Sequence, residues 1–229
     1  MLEELKQRVL LANKSLKTSG LVTLTWGNAS AFDATKRLVA IKPSGVPYDE
    51  LKLEDIVIVD LSGNVVEGTL RPSSDCPTHL KMYQAHPELG GIIHTHSTFA
   101  TAFAQAKRPI PPYGTTHADA FYGEVPCARL LSKKEIEEDY EGNTGKVIVE
   151  ALENRDPFDV PAILLPSHGV FTWGESVEKA LENAVTLEEV AKMAYLTETI
   201  CPKTPALDPN LMEKHHKRKH GSSAYYGQE

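Results

Sequence analysis

The apolar positions of this chain follow two periods, and the switches between them predict its elements. Leu2, Leu5, Val9, Ala12 and Leu16 recur at steps of three and four and stop before Gly20, one helix face closed by a glycine. Runs of strand length follow at 21–25, 38–42 and 56–61, and Ser62-Gly63-Asn64 reads as a hairpin turn into Val65–Glu67. Pro77 suits the first turn of a helix reaching about His86, with Pro87 just past its end. Gly91-Ile92-Ile93-His94-Thr95-His96 predicts a buried strand, followed by a helix over 97–106 and a proline-rich loop over 109–113. A short strand is expected around Val125 and a helix over 144–153. The apolar run at 163–165 and the run at 170–173 read as strands, 176–200 as a long helix and 209–219 as a last one. Helices alternate with strands while hairpin signals recur. This predicts one α/β domain over 1–229, a mixed sheet with helices on both faces.

Composition narrows the class. A chain of 229 residues can bury a substantial core, and 41% apolar with 24% charged residues fits a folded globular domain, not a disordered one. Cys76, Cys127 and Cys201 are odd in number and far apart, which predicts no disulfide framework and a reducing, cytoplasmic setting. No apolar stretch approaches a membrane span and the first helix is charged, so neither a membrane partner nor a signal peptide is expected. The net charge of −7 argues against a nucleic-acid partner, and the basic cluster 214–220 reads as a solvated helix face. An anionic small substrate stays open, because backbone N–H groups and one or two lysines can build a local anion site.

The candidate chemistry centres on histidine. His94 and His96 are two apart on a strand, so they share a face with Cβ atoms about 7 Å apart. His168, at the end of a neighbouring strand, would complete three imidazoles with an open coordination position, the catalytic arrangement for Zn²⁺. No H-E-x-x-H is present, and Cys76 with His79 lacks a second cysteine at C-x-x-C spacing, so zinc-peptidase and structural-zinc readings fall away. Asp75, just before a helix, is either an N-terminal cap or a carboxylate beside the metal. Thr25-Trp26-Gly27-Asn28, Lys42-Pro43-Ser44-Gly45 and Arg71-Pro72-Ser73-Ser74-Asp75 offer hydroxyls, glycine N–H groups and a lysine, donors suited to phosphate. Asp119 sits among threonine and histidine with no charge partner nearby in sequence; it is a candidate base or an aspartate bonded to its own backbone. Tyr226 is a tail anchor or a proton-transfer group.

Taken in order, Thr25-Trp26-Gly27-Asn28, Lys42-Pro43-Ser44-Gly45, Pro72-Ser73-Ser74-Asp75, His94-Thr95-His96-Ser97, Gly114 through Asp119, Ser167-His168-Gly169 and Tyr225-Tyr226-Gly227-Gln228 closely resemble the L-ribulose-5-phosphate 4-epimerases of the class II aldolase superfamily. The resemblance runs essentially end to end. It implies a central mixed, mainly antiparallel sheet between helical layers. It implies Zn²⁺ held by His94, His96 and His168 with Asp75 beside it, and substrate phosphate held by Ser44, Gly45, Ser73 and Ser74 with Asn28 and Lys42 nearby. It implies acid–base roles for Asp119 and Tyr226 with His215 close by, these three supplied by the adjacent subunit of a cyclic homotetramer. The implied substrate is a phosphorylated ketopentose. The shorter Asp75, where related aldolases usually place glutamate, favours epimerase over an aldolase acting on a deoxyketose phosphate. A non-catalytic module on this fold, as in adducins, is disfavoured because all three histidines are present.

Overall fold

The computed structural model describes residues 2–220 and 224–225. Helix α1 (Leu2–Thr18) is followed by β1 (Asn28–Asp33), β2 (Leu38–Ile41), a 3₁₀ turn (Leu53–Asp55), β3 (Val57–Asp60) and β4 (Val65–Glu67). Then come α2 (Cys76–Ala85), β5 (Gly91–Thr95), α3 (Thr98–Gln105), α4 (Thr115–Ala118), α5 (Lys133–Leu152), β6 (Ala162–Leu164), β7 (Val170–Gly174), α6 (Val177–Ile200) and α7 (Pro209–Lys219). The strands form one sheet in the order β4-β3-β2-β1-β5-β7-β6, each neighbour antiparallel. The one parallel pairing among the described residues is the isolated bridge Cys127–Leu164, so the expected mainly antiparallel sheet between helices is present. No described helix is long and apolar enough to cross a membrane.

Strand parity sorts the core into two layers. Val39, Ile41, Val57, Val59, Ile92 and Phe171 pack with Met82 and Tyr83 of α2 and Val147 and Ile148 of α5. The alternate residues Ala29, Ala31, Ala40, Ile58 and Ile93 pack with Leu5, Val9 and Leu16 of α1 and Ala180 and Ala184 of α6. His94 has the parity of Ile92, so it belongs to the α2–α5 face.

Three elements differ from the sequence expectation. Residues 21–25 are a loop; the strand is β1, whose Asn-Ala-Ser-Ala start has no strand-like apolar pattern. Small residues serve there because β1 is a central strand covered on both faces, where bulk comes from the helices. Around Val125 there are only isolated bridges, Val125 to Ile110 and Cys127 to Leu164. Helix α5 begins eleven residues early, at Lys133, through a capping box in which Ser132 Oγ accepts from Glu135 N–H, and it is kinked where Asp139 leaves helical φ/ψ.

Candidate active site

Sheet register assembles the site. Within β5, His94 stands opposite Asn28 of β1 on one side and Phe171 of β7 on the other. Its ring stacks on Phe171 with centroids 4.4 Å apart, and Nδ1–H donates to the Val170 carbonyl at 2.9 Å. That bond fixes the tautomer and leaves Nε2 as a lone pair pointing outward. His96 follows on the same face past the strand end, its Nε2 3.1 Å from His94 Nε2. His168 comes from the turn between β6 and β7, where Ser167 adopts φ +61°. Tyr140 of α5 places its hydroxyl 3.3 Å from His168 Nδ1. The next residue must be glycine: a Cβ on Gly169 would lie 2.7 Å from the Thr95 carbonyl oxygen and 3.0 and 3.1 Å from the His96 and His94 rings.

Ring nitrogens of His94, His96 and His168 lie within 4.8 Å of one another. Burial pushes His94 down to about 3 and lowers His96 and His168 as well, so the imidazoles are neutral. The 3.1 Å contact between His94 Nε2 and His96 Nε2 closes either through an N–H on His96 or through a cation that both nitrogens bind. Neutral imidazoles converging from a strand and a turn are a donor set that fits a divalent metal ion.

Asp75 occupies the N-cap position of α2 but makes no side-chain cap bond. Its Oδ2 instead accepts from Asn28 Nδ2 at 2.7 Å, and the same amide nitrogen donates to Ser73 Oγ at 3.0 Å. Capping is therefore not what this carboxylate does. Burial pushes its pKa up, but the positive charge that protonation of His94, His79 or His168 would place beside it, together with the Asn28 N–H, favours the anion and holds it below the usual carboxylate range. Asn28 Oδ1 is buried without a partner among the described residues.

The three polar loops meet around a cavity of about 400 Å³ that also contains the triad. Ser44 N–H donates to the Arg71 carbonyl and Ser73 N–H to that of Lys42, each at 2.9 Å, tying the 42–45 and 71–75 loops together. Tyr48 secures the third loop, donating to the Gly27 carbonyl at 2.7 Å. Gly27, at φ +107°, passes so close to β5 that a Cβ would meet the His94 carbonyl at 2.7 Å. Lys42 is buried over the Tyr48 ring, 4.9 Å from its centroid, and burial lowers its pKa to about 8. Asn28, Lys42, Ser44, Gly45, Ser73, Ser74, Asp75, His94, His96 and His168 thus line one space.

Asp119 and His215 do not line that cavity within one chain. Asp119 follows α4 and is ion-paired with α7: Arg218 Nε donates to Oδ1 at 2.8 Å, Arg218 Nη2 to Oδ2, and His215 Nδ1 lies 3.0 Å from Oδ1. His220 Nε2 adds a bond to the Asp119 backbone carbonyl at 2.9 Å. Two expectations are corrected here. Asp119 has charge partners, His215, Arg218 and Lys219 of α7, which sequence proximity could not show. The basic segment 214–220 is a solvated face on one side only: Lys214, Lys217 and Lys219 are exposed, while His215, Arg218 and His220 turn to Asp119. Burial raises the Asp119 pKa, but Arg218, His215 and Lys219 prevail and hold it below the usual carboxylate range. Tyr226 lies outside the described residues.

Sequence reasoning missed Trp26 as an exposed wall of the cavity, and Tyr140 and Glu141 beside the triad. The available signal was the S-x-x-E capping box at Ser132, which starts α5 early enough to carry Tyr140 and Glu141 to His168.

Known proteins share this arrangement of chain. A solved L-fuculose 1-phosphate aldolase is 32% identical, with 94% of this chain and 95% of that one covered and a TM-score of 0.80. L-Fuculose-1-phosphate aldolase from Thermus thermophilus is 26% identical, with coverage of 89% and 98% and a TM-score of 0.69. The enzyme of that name from Glaciozyma antarctica is 23% identical with coverage of 97% and 84% and a TM-score of 0.78, a likeness of fold. The family model for the class II aldolase and adducin N-terminal domain matches residues 7–195. With the sheet, the histidine triad and this match in agreement, the chain belongs to the class II aldolase and adducin N-terminal domain family.

Proposed function

We propose that this protein is a zinc-dependent epimerase interconverting L-ribulose 5-phosphate and D-xylulose 5-phosphate in the cytoplasm. The observation that carries the reading is the short carboxylate of Asp75, released from helix capping and held by Asn28 at the cavity shared with the triad and the polar loops. C4 of such a ketose bears no acidic hydrogen, so deprotonation and reprotonation cannot invert it, whereas retro-aldol cleavage of C3–C4, rotation of the aldehyde and re-formation of the bond on its other face can. A divalent ion bound by His94, His96 and His168 supplies Lewis-acid stabilisation of developing negative charge.

The remaining work falls to the chain itself. Ser44, the Gly45 N–H, Ser73 and Ser74 hold the phosphate end, with the Lys42 ammonium close by, and keep the aldehyde fragment from leaving while it turns. Asn28 orients Asp75 through Nδ2. Inversion exposes the C4 oxygen to opposite sides in turn, so two separate proton-transfer groups are needed. Asp119 and Tyr226 fill those roles, with His215 beside Asp119, delivered by a neighbouring copy in a homotetramer.

A second reading is a class II aldolase that cleaves a deoxyketose phosphate and releases both fragments. The 32% identity to an L-fuculose 1-phosphate aldolase favours it. The test is conversion of L-ribulose 5-phosphate by metal-depleted protein before and after Zn²⁺ addition, with L-fuculose 1-phosphate cleavage in parallel. Zinc-dependent D-xylulose 5-phosphate formation without free glycolaldehyde phosphate is expected. Cleavage of L-fuculose 1-phosphate with no epimerisation would replace the first reading with the second.

A further inference from the structure

We infer that Glu188 is the positioning residue for His96, fixing the joint between β5 and α3 and so the direction in which that imidazole points. The inference rests on the metal reading of the triad. Two of the imidazoles have an outer hydrogen-bond partner: the Val170 carbonyl for His94, and the Tyr140 hydroxyl for His168. Among the described residues His96 has none, and it is the exposed member of the three. Its orientation must come from the backbone, which turns from strand to helix within two residues, since β5 ends at Thr95 and α3 begins at Thr98.

A serine at that turn would ordinarily cap the helix. Ser97 has the extended backbone of an N-cap, yet its hydroxyl makes no cap bond and is buried without a partner. Glu188 has taken the role. From α6, one carboxylate oxygen accepts from Phe99 N–H at 2.8 Å and the other from Ala100 N–H at 3.0 Å. A two-pronged acceptor at the positive end of a helix fixes both its position and its rotation. Helix α6 is itself tied to the sheet, with Asn183 Nδ2 donating to the Trp173 carbonyl at 2.8 Å. The clamp therefore refers the residues just after His96 back to β7, the strand that follows His168 and carries the Val170 carbonyl. Without it, Ser97 can recapture one amide, so the helix survives while the joint is free to pivot. Ligand positions must hold to within about 0.2 Å for tight metal binding.

The test uses Co²⁺ as the metal probe in the full chain, with Glu188→Ala, Glu188→Gln and Ser97→Ala. In Glu188→Ala, Co²⁺ affinity is expected to fall about 10–100-fold, with an altered visible absorption spectrum and faster release to a chelator. Glu188→Gln, equal in length with one acceptor oxygen, restores part of each readout, and Ser97→Ala leaves all of them as in the wild type. Glu188→Ala that unfolds cooperatively yet keeps the wild-type spectrum and release rate overturns the inference. Should Glu188→Ala not fold, a wild-type spectrum and release rate in Glu188→Gln overturns it equally. Absence of Co²⁺ binding by the wild type would instead sink the metal reading, and this inference with it.

Discussion

Replacing Gly169 with alanine inserts a single methyl group into the point where the turn bearing His168 meets β5. The added Cβ would stand 2.7 Å from the Thr95 carbonyl oxygen, against an ordinary carbon–oxygen contact of about 3.3 Å. The turn, the strand or both must then give way by about 0.6 Å, the difference between those two distances. The same methyl would sit 3.0 Å from His96 Cδ2 and 3.1 Å from His94 Cε1, so the rings cannot absorb the shift by staying still. Metal–ligand distances tolerate about 0.2 Å. A displacement of that size therefore separates His168 from its partners by more than the site can accept. Two losses are expected together: about 1–3 kcal/mol of stability in the metal-free protein from overpacking, and a fall in Zn²⁺ affinity of about tenfold or more. Urea unfolding of the metal-free variant reads the first, and competition with a chelator of known affinity reads the second. A variant with wild-type stability and wild-type affinity would refute the reasoning, since it would mean that the close approach at Gly169 does not define the triad.

Other consequences follow from the same structure. Asp119→Asn should slow epimerisation by about 100-fold or more while Zn²⁺ stays bound; normal turnover would remove Asp119 from the mechanism. Chelation should abolish activity but leave the far-UV spectrum and cooperative unfolding intact, because apolar layers on both sheet faces, not the triad, hold the fold; unfolding on chelation at 25 °C would show the metal to be structural. His117 is buried, donates from Nε2 to the Gly123 carbonyl at 2.7 Å, and is pushed by burial down to about 4. Below pH about 6.5 the unfolded chain takes up a proton that the folded chain refuses until about 4, so this stability is complete above 6.5 and lost as pH falls between those values. The loss is on the order of 3 kcal/mol. Urea midpoints across that range should fall less steeply in His117→Gln, and parallel curves for the two proteins would count against the assignment.

Periodicity made the larger elements legible in advance. Helix α1, helix α6, helix α7 and strands β3 to β5 each carry a pattern complete within a single segment, and a side chain's face follows from its parity alone. That is why His94 and His96 could be paired from two positions in the chain. Local capping chemistry belongs to the same class: the serine at 132 marks the true start of α5, a signal that the expectation of a helix over 144–153 passed over. What the tertiary structure decided depends on partners distant in sequence. Strand β1 is alanine and serine where a strand signal would want branched bulk, because two helical layers already fill the space on either side of it. Asp75 could have been a cap until Asn28, 47 residues away in the chain, claimed its carboxylate. Asp119 looked unpartnered because Arg218 lies 99 residues away and meets it only when α7 packs on α4. The local pattern tells each residue which way to face, whereas the neighbour it faces is set by sheet register and helix packing, which no segment contains by itself.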